Sequence, residues 1–163
     1  MGRDRSLKLV KVETQQFIDN VTSITPGALR GGLLSVRRHP ALEQVLVGGA
    51  DGTPQLFRIF REQKRVIGDN YNMIRAFERV PGRIYDLAWS PDGSSFVSAS
   101  STGSSGAIRA YKTEDGALLW EHELEHGLFA ASVNPRGDRV ICAGSEGVLR
   151  RYELTDEIGR AHV

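Results

Sequence analysis

A short segment recurs three times along this chain, and its period limits what the chain can build. Each copy opens at a glycine, runs through a strand-like stretch and stops at a residue followed by proline. The copies read Gly31-Gly-Leu-Leu-Ser-Val-Arg-Arg-His-Pro40, Gly82-Arg-Ile-Tyr-Asp-Leu-Ala-Trp-Ser-Pro91 and Gly127-Leu-Phe-Ala-Ala-Ser-Val-Asn-Pro135. A second apolar run follows each copy, then a turn glycine and a strand with an aromatic end. Pro40 and Pro135 stand twelve residues before Gly52 and Gly147, and Pro91 stands fifteen before Gly106. Proline cannot donate to a ladder, so each X-Pro pair ends a strand, while Asp51-Gly52 and Asp92-Gly93 supply turn residues that tolerate positive φ. On this ground Asp51, Glu146, Pro40, Pro91 and Pro135 read as residues of the fold first.

The prolines are 51 and 44 residues apart. A period of about 40 to 50 residues made of several short strands is the pattern of a β-propeller. Alternation and apolar runs place strands near 7–12 and 17–24, ahead of a Pro26-Gly27 turn. Further strands are expected from about 33 onward, at 44–47, 55–60 and 72–78, then at 84–89, 95–99, 107–112 and 117–124, and finally at 128–133, 139–143 and 148–152. The expected fold is all-β, with two complete four-stranded blades and two partial ones. The units span 6–25, 27–79, 80–125 and 126–154, followed by a tail at 155–163, so the strand counts are two, four, four and three. Propellers typically close a ring of about four to eight blades, which this count does not reach. The expectation is therefore a portion of a larger propeller, or a propeller completed by further copies of the chain.

Arg83-Ile-Tyr-Asp-Leu-Ala-Trp-Ser-Pro-Asp-Gly93 resembles the first strand and turn of a Trp-Asp repeat, the propeller family of interaction scaffolds. Val45-Leu-Val-Gly-Gly-Ala-Asp-Gly52 and Val140-Ile-Cys-Ala-Gly-Ser-Glu-Gly147 are similar to that family's second strand and its acidic-glycine turn. The likeness runs from about residue 7 to 154. It departs at the Trp-Asp pair itself, replaced by Phe60-Arg61, Tyr111-Lys112 and Tyr152-Glu153, and at the missing Gly-His pair, of which His126-Gly127 is a reversed echo. The resemblance implies a non-enzymatic scaffold for protein partners, with aromatic packing by Phe60, Tyr111 and Tyr152. In such propellers the connections between blades and the turns between second and third strands share one end. Loops on a rigid scaffold commonly carry recognition, and the residues expected there are Arg30, Asp51, Arg83, Ser104, His126 and Glu146.

Other chemistries have weaker footing. His122-Glu-Leu-Glu-His126 fits the His-Glu-x-x-His pattern of zinc peptidases, where a helix would bring both imidazoles to one face with Glu123 as base, and Glu146 as a third ligand. The repeat register instead puts it on an outer strand, where four residues span about 13 Å. Thr113-Glu-Asp-Gly-Ala-Leu-Leu-Trp120 is similar to the tryptophan-docking repeat of quinone-dependent propeller dehydrogenases, but one unit alone shows it. The serines from Ser98 to Ser105 lack a nucleophile elbow and read as a flexible loop. No phosphate-binding glycine loop is present, and no cofactor is expected. With 21 Lys plus Arg against 20 Asp plus Glu, no long-range field draws nucleic acid. The cluster Arg58, Arg61, Lys64 and Arg65 reads as a solvated face. Cys142, the single cysteine, reads as a small core residue and rules out an internal disulfide. The charged start does not fit a signal sequence and no run approaches a membrane span, which gives cytoplasmic as the expected compartment.

Overall fold

The structure, a computed structural model, describes residues 5–24, 30–66 and 68–154. Its thirteen strands form four antiparallel sheets in which every strand pairs with its neighbours in sequence. The first sheet holds β1 (Lys8–Val10) and β2 (Phe17–Asn20). The second holds β3 (Leu33–Arg38), β4 (Gln44–Gly49), β5 (Gln55–Arg58) and β6 (Met73–Ala76). The third holds β7 (Arg83–Trp89), β8 (Ser95–Ser101), β9 (Gly106–Lys112) and β10 (Leu118–Leu124), and the fourth β11 (Leu128–Val133), β12 (Arg139–Gly144) and β13 (Leu149–Glu153). The expected counts of two, four, four and three are those observed among the described residues. The expected Pro26-Gly27 turn and the 155–163 tail lie outside them.

The core lies between consecutive sheets rather than under one of them. Strand alternation sends Val45 and Val47 toward the first sheet, where they meet Val21, Leu7 and Leu9, and sends Leu46 the other way. Between the second and third sheets Leu46, Leu56, Phe77, Ile84, Phe96 and Tyr111 pack together. Between the third and fourth, Val97, Ile108, Trp120, Leu128, Val140 and Tyr152 do the same. Central strands thus bury both faces, which explains their continuous apolar runs; burying each large side chain contributes about 1.5–3 kcal/mol. The first strands are the innermost: β7 touches β3 and β4 on one side and β11 on the other. Close approach needs small residues. A Cβ on Gly48 would lie 2.8 Å from Ile84, and one on Gly93 would overlap the His39 ring.

Three expectations change. The run from Ser98 to Ser105 is not a loop throughout: Ser98, Ser100 and Ser101 are buried in β8, and only residues 102–105 turn. Small side chains there let the third sheet pack on both sides. The aromatic packing assigned to Phe60 belongs to Phe57, which is 1% exposed where Phe60 is 54%. Phe57 pairs with Val45 as Tyr111 does with Phe96 and Tyr152 with Val140. The charged cluster is not all solvated either. Arg61 grips both oxygens of Asp69 at 3.0 and 2.8 Å, and Arg65 reaches Asp19 of β2 at 2.6 Å, so the loop before β6 is fastened to the first sheet.

Candidate functional site at the loop end

The first strands begin, and the turns between second and third strands lie, at one end of the stack. Asp51 sits in the β4–β5 turn, where its carboxylate accepts the Thr53 N–H at 3.0 Å. Gly52 beside it has φ +77°, and a Cβ there would strike the carbonyls of Gly82 and Val80. That close approach puts the turn against the 79–83 connection that leads to Arg83. Arg83 pairs with Ser101 at the end of β8, three residues before Ser104. His126 lies near the carboxylate of Glu146, and the Ser145 N–H donates to the Gly127 carbonyl at 3.0 Å. Glu146 is held below the usual carboxylate range first by its hydrogen bond from Arg150, with His126 a smaller influence. Arg30 precedes Gly31, whose added Cβ would lie 2.8 Å from that of Ala50. Of the six, His126 and Glu146 are neighbours, Arg30 and Asp51 flank the close approach of Gly31 to Ala50, and Ser104 lies three residues beyond the Ser101 that pairs with Arg83. All but Asp51 are exposed.

Among the described residues, hollows open at this end. One of about 400 Å³ is lined by Ala50, Arg79, Gly82, Arg83, Tyr85 and residues 101–103. Another, of about 310 Å³, lies across the 102–105 turn and includes Pro81, Glu123 and Glu125. Larger hollows of about 520 and 850 Å³ open at the opposite end, in the creases between sheets. Most charged groups there are already engaged. Arg75 donates to the carbonyls of Asp115 and Glu114, Lys112 pairs with Asp115 at 3.5 Å, and Asp92 accepts from Ser90 and Ser94. Arg75 there ties the second sheet to the third.

The zinc arrangement does not form. His122 is on the extended β10, stacked on Tyr152 with ring centroids 4.7 Å apart, whereas His126 lies beyond the strand end and Glu146 is committed to Arg150. Among the described residues no three of His, Cys, Asp and Glu gather closely enough to hold a metal ion. Trp120 is buried against Tyr152, as an inter-sheet packing residue rather than a docking side chain for a quinone. Cys142 is buried too, and desolvation pushes its thiol up to about 11.

Two connecting side chains had no sequence signal. Asp86 on β7 accepts the Arg37 guanidinium at 2.6 Å and the Ala131 N–H at 3.1 Å, so one carboxylate joins the second, third and fourth sheets. Ser35 adds a longer bond at 3.4 Å. His39 accepts the N–H groups of Ala41 and Leu42 on Nδ1 and lies edge-on to Trp89 at 4.8 Å. Burial lowers its pKa, against a smaller opposing influence of the Gly93 backbone.

The whole arrangement, antiparallel four-stranded meanders stacked about their first strands, superposes on the β-propeller domain of Cps50 (Swd1) from Myceliophteria thermophila with a TM-score of 0.67. The chain is a β-propeller segment. Its blades are the sheets described above, and the superposition covers 82% of this chain and 38% of that one at 18% identity. Over 107 residues, 65% of its length, the segment is 32% identical to cilia- and flagella-associated protein 43 of Chlamydomonas reinhardtii, of which it spans 6%. No protein-family model matches the segment.

Proposed function

We propose that this propeller segment is a non-enzymatic scaffold of the Trp-Asp repeat type, and that its loop end receives a protein partner. The observation that carries this reading is the contrast between the two ends of the blades. Charged groups at the opposite end are mostly engaged by backbone carbonyls, serine hydroxyls or an ion pair, whereas the loop end combines exposed turns with open hollows on a rigid base. Rigidly mounted loops recognise partners at low ordering cost. The near balance of charge gives nucleic acid no general hold. Likeness to a cilia- and flagella-associated protein suggests a ciliary or flagellar assembly as the setting, reached from the cytoplasm. The remaining blades would come from further sequence or from a second copy.

The test is to replace Arg30, Arg83, His126 and Glu146 together, and separately Lys112 and Arg136 at the other end, in the protein that carries this segment. Proximity labelling then identifies the neighbours of each variant. Loss of a defined set of neighbours with the first variant alone is the expected result. An unchanged set, or equal loss with both variants, would overturn the reading.

A further inference from the structure

The two loop-end hollows differ in charge, and the difference points to a ligand chemistry. Several arginines of the segment hold an acid: Arg37 holds Asp86, Arg61 holds Asp69, Arg65 holds Asp19, Arg109 holds Glu121 and Arg150 holds Glu146. Arg79 and Arg83 share one hollow, are exposed, and have no side-chain hydrogen bond or ion pair among the described residues. No carboxylate lines that hollow. Its inner wall is Tyr85, packed edge-on to Phe129 at 5.1 Å, with both rings partly open to solvent. Its outer wall is the 102–105 turn, where Thr102 and Ser105 hydroxyls lie 2.7 Å apart and the Ser105 N–H donates to Thr102 at 3.1 Å. Beyond that wall Glu123 and Glu125 stand exposed beside the acidic hollow.

Paired guanidinium groups match the geometry of carboxylates, and an acidic neighbour repels an anion that slides out of place. We propose that Arg79 and Arg83 hold the carboxylate side chains of an acidic segment from a protein partner, with an apolar residue of that segment resting on Tyr85 and Phe129. The proposal rests on the scaffold reading and gives it a chemical class. A nucleic-acid backbone is disfavoured because its regular run of phosphates would meet Glu123 and Glu125 across the turn.

The test titrates the full chain with a labelled hexaglutamate peptide ending in leucine, followed by fluorescence anisotropy at low and moderate salt. Saturable, salt-sensitive binding is expected, weakened about tenfold in the R79S/R83S variant and changed less than about twofold by R136S at the opposite end. Both arginines are exposed and unpaired among the described residues, so the melting midpoint of the double variant should match the wild type, and Y85A should weaken binding without removing its salt dependence. Absence of saturable binding, equal loss in R136S, equal affinity for hexalysine, or equal affinity for a thymidine oligonucleotide through the same arginines would each overturn the proposal. If hexaglutamate fails while the four-residue loop-end variant still loses its neighbours, the acidic chemistry falls and the scaffold reading stands. If that variant also changes nothing, both fall.

Discussion

In each blade with a complete third strand, the turn glycine and the buried aromatic are five residues apart: Gly52 to Phe57, Gly106 to Tyr111 and Gly147 to Tyr152. Phe57→Ala should therefore open a cavity and cost about 3–5 kcal/mol, while Phe60→Ala should stay within about 0.5 kcal/mol, as measured by denaturant unfolding. The constant interval was present in the sequence, but the pull of an aromatic-arginine pair at Phe60 concealed it. His39 gives a second expectation at this scale. Its Nδ1 already accepts two backbone N–H groups, so protonation there would set donor against donor. Burial holds the folded pKa below the ordinary histidine value of 6.5. The contribution of His39 to stability should be complete above that value and decline as pH falls through the lower folded pKa. NMR titration of the ring should give a pKa below 6.5, and His39→Gln should flatten the acid side of the stability profile; a ring that titrates above 6.5 would refute the assignment.

Strand order and strand count were legible because they depend on local signals: proline at strand ends, glycine at turns and alternation between them. The ties between blades were not legible, since nothing near Asp86 in sequence announces Arg37 or Ala131, which lie some forty-five or more residues away. The same limit separates the loop-end residues, whose topological position could be expected, from the unpaired state of Arg79 and Arg83, which depends on what packs around them. Edges make the testable difference between elements. β8 and β9 are paired on both sides, whereas β1 and β13 each have one edge unpaired among the described strands. Amide exchange should be slowest in β8 and β9 and much faster along β1 and β13. Uniform protection across all four would show that some further strand covers those edges.

The stack leaves apolar side chains uncovered at both of its ends, Val10, Phe17 and Ile18 on one and Ile141 and Leu149 on the other. Such faces and strand edges invite association. The purified chain should increase in mean molar mass with concentration in light scattering, and Leu149→Lys, which places a charge on the β13 edge, should reduce that increase. A mass that stays at one chain across the range would mean that these faces are covered from within. Asp86 has a different consequence, one of timing. The pairing within each blade joins strands adjacent in sequence and can form early, but the carboxylate of Asp86 must wait until three blades have been brought together across long stretches of chain. Interactions made that late add little to the speed of folding and act chiefly on the rate of escape from the native state. Asp86→Asn should leave refolding nearly unchanged and hasten unfolding, so this carboxylate would determine how long the stack survives once it has formed.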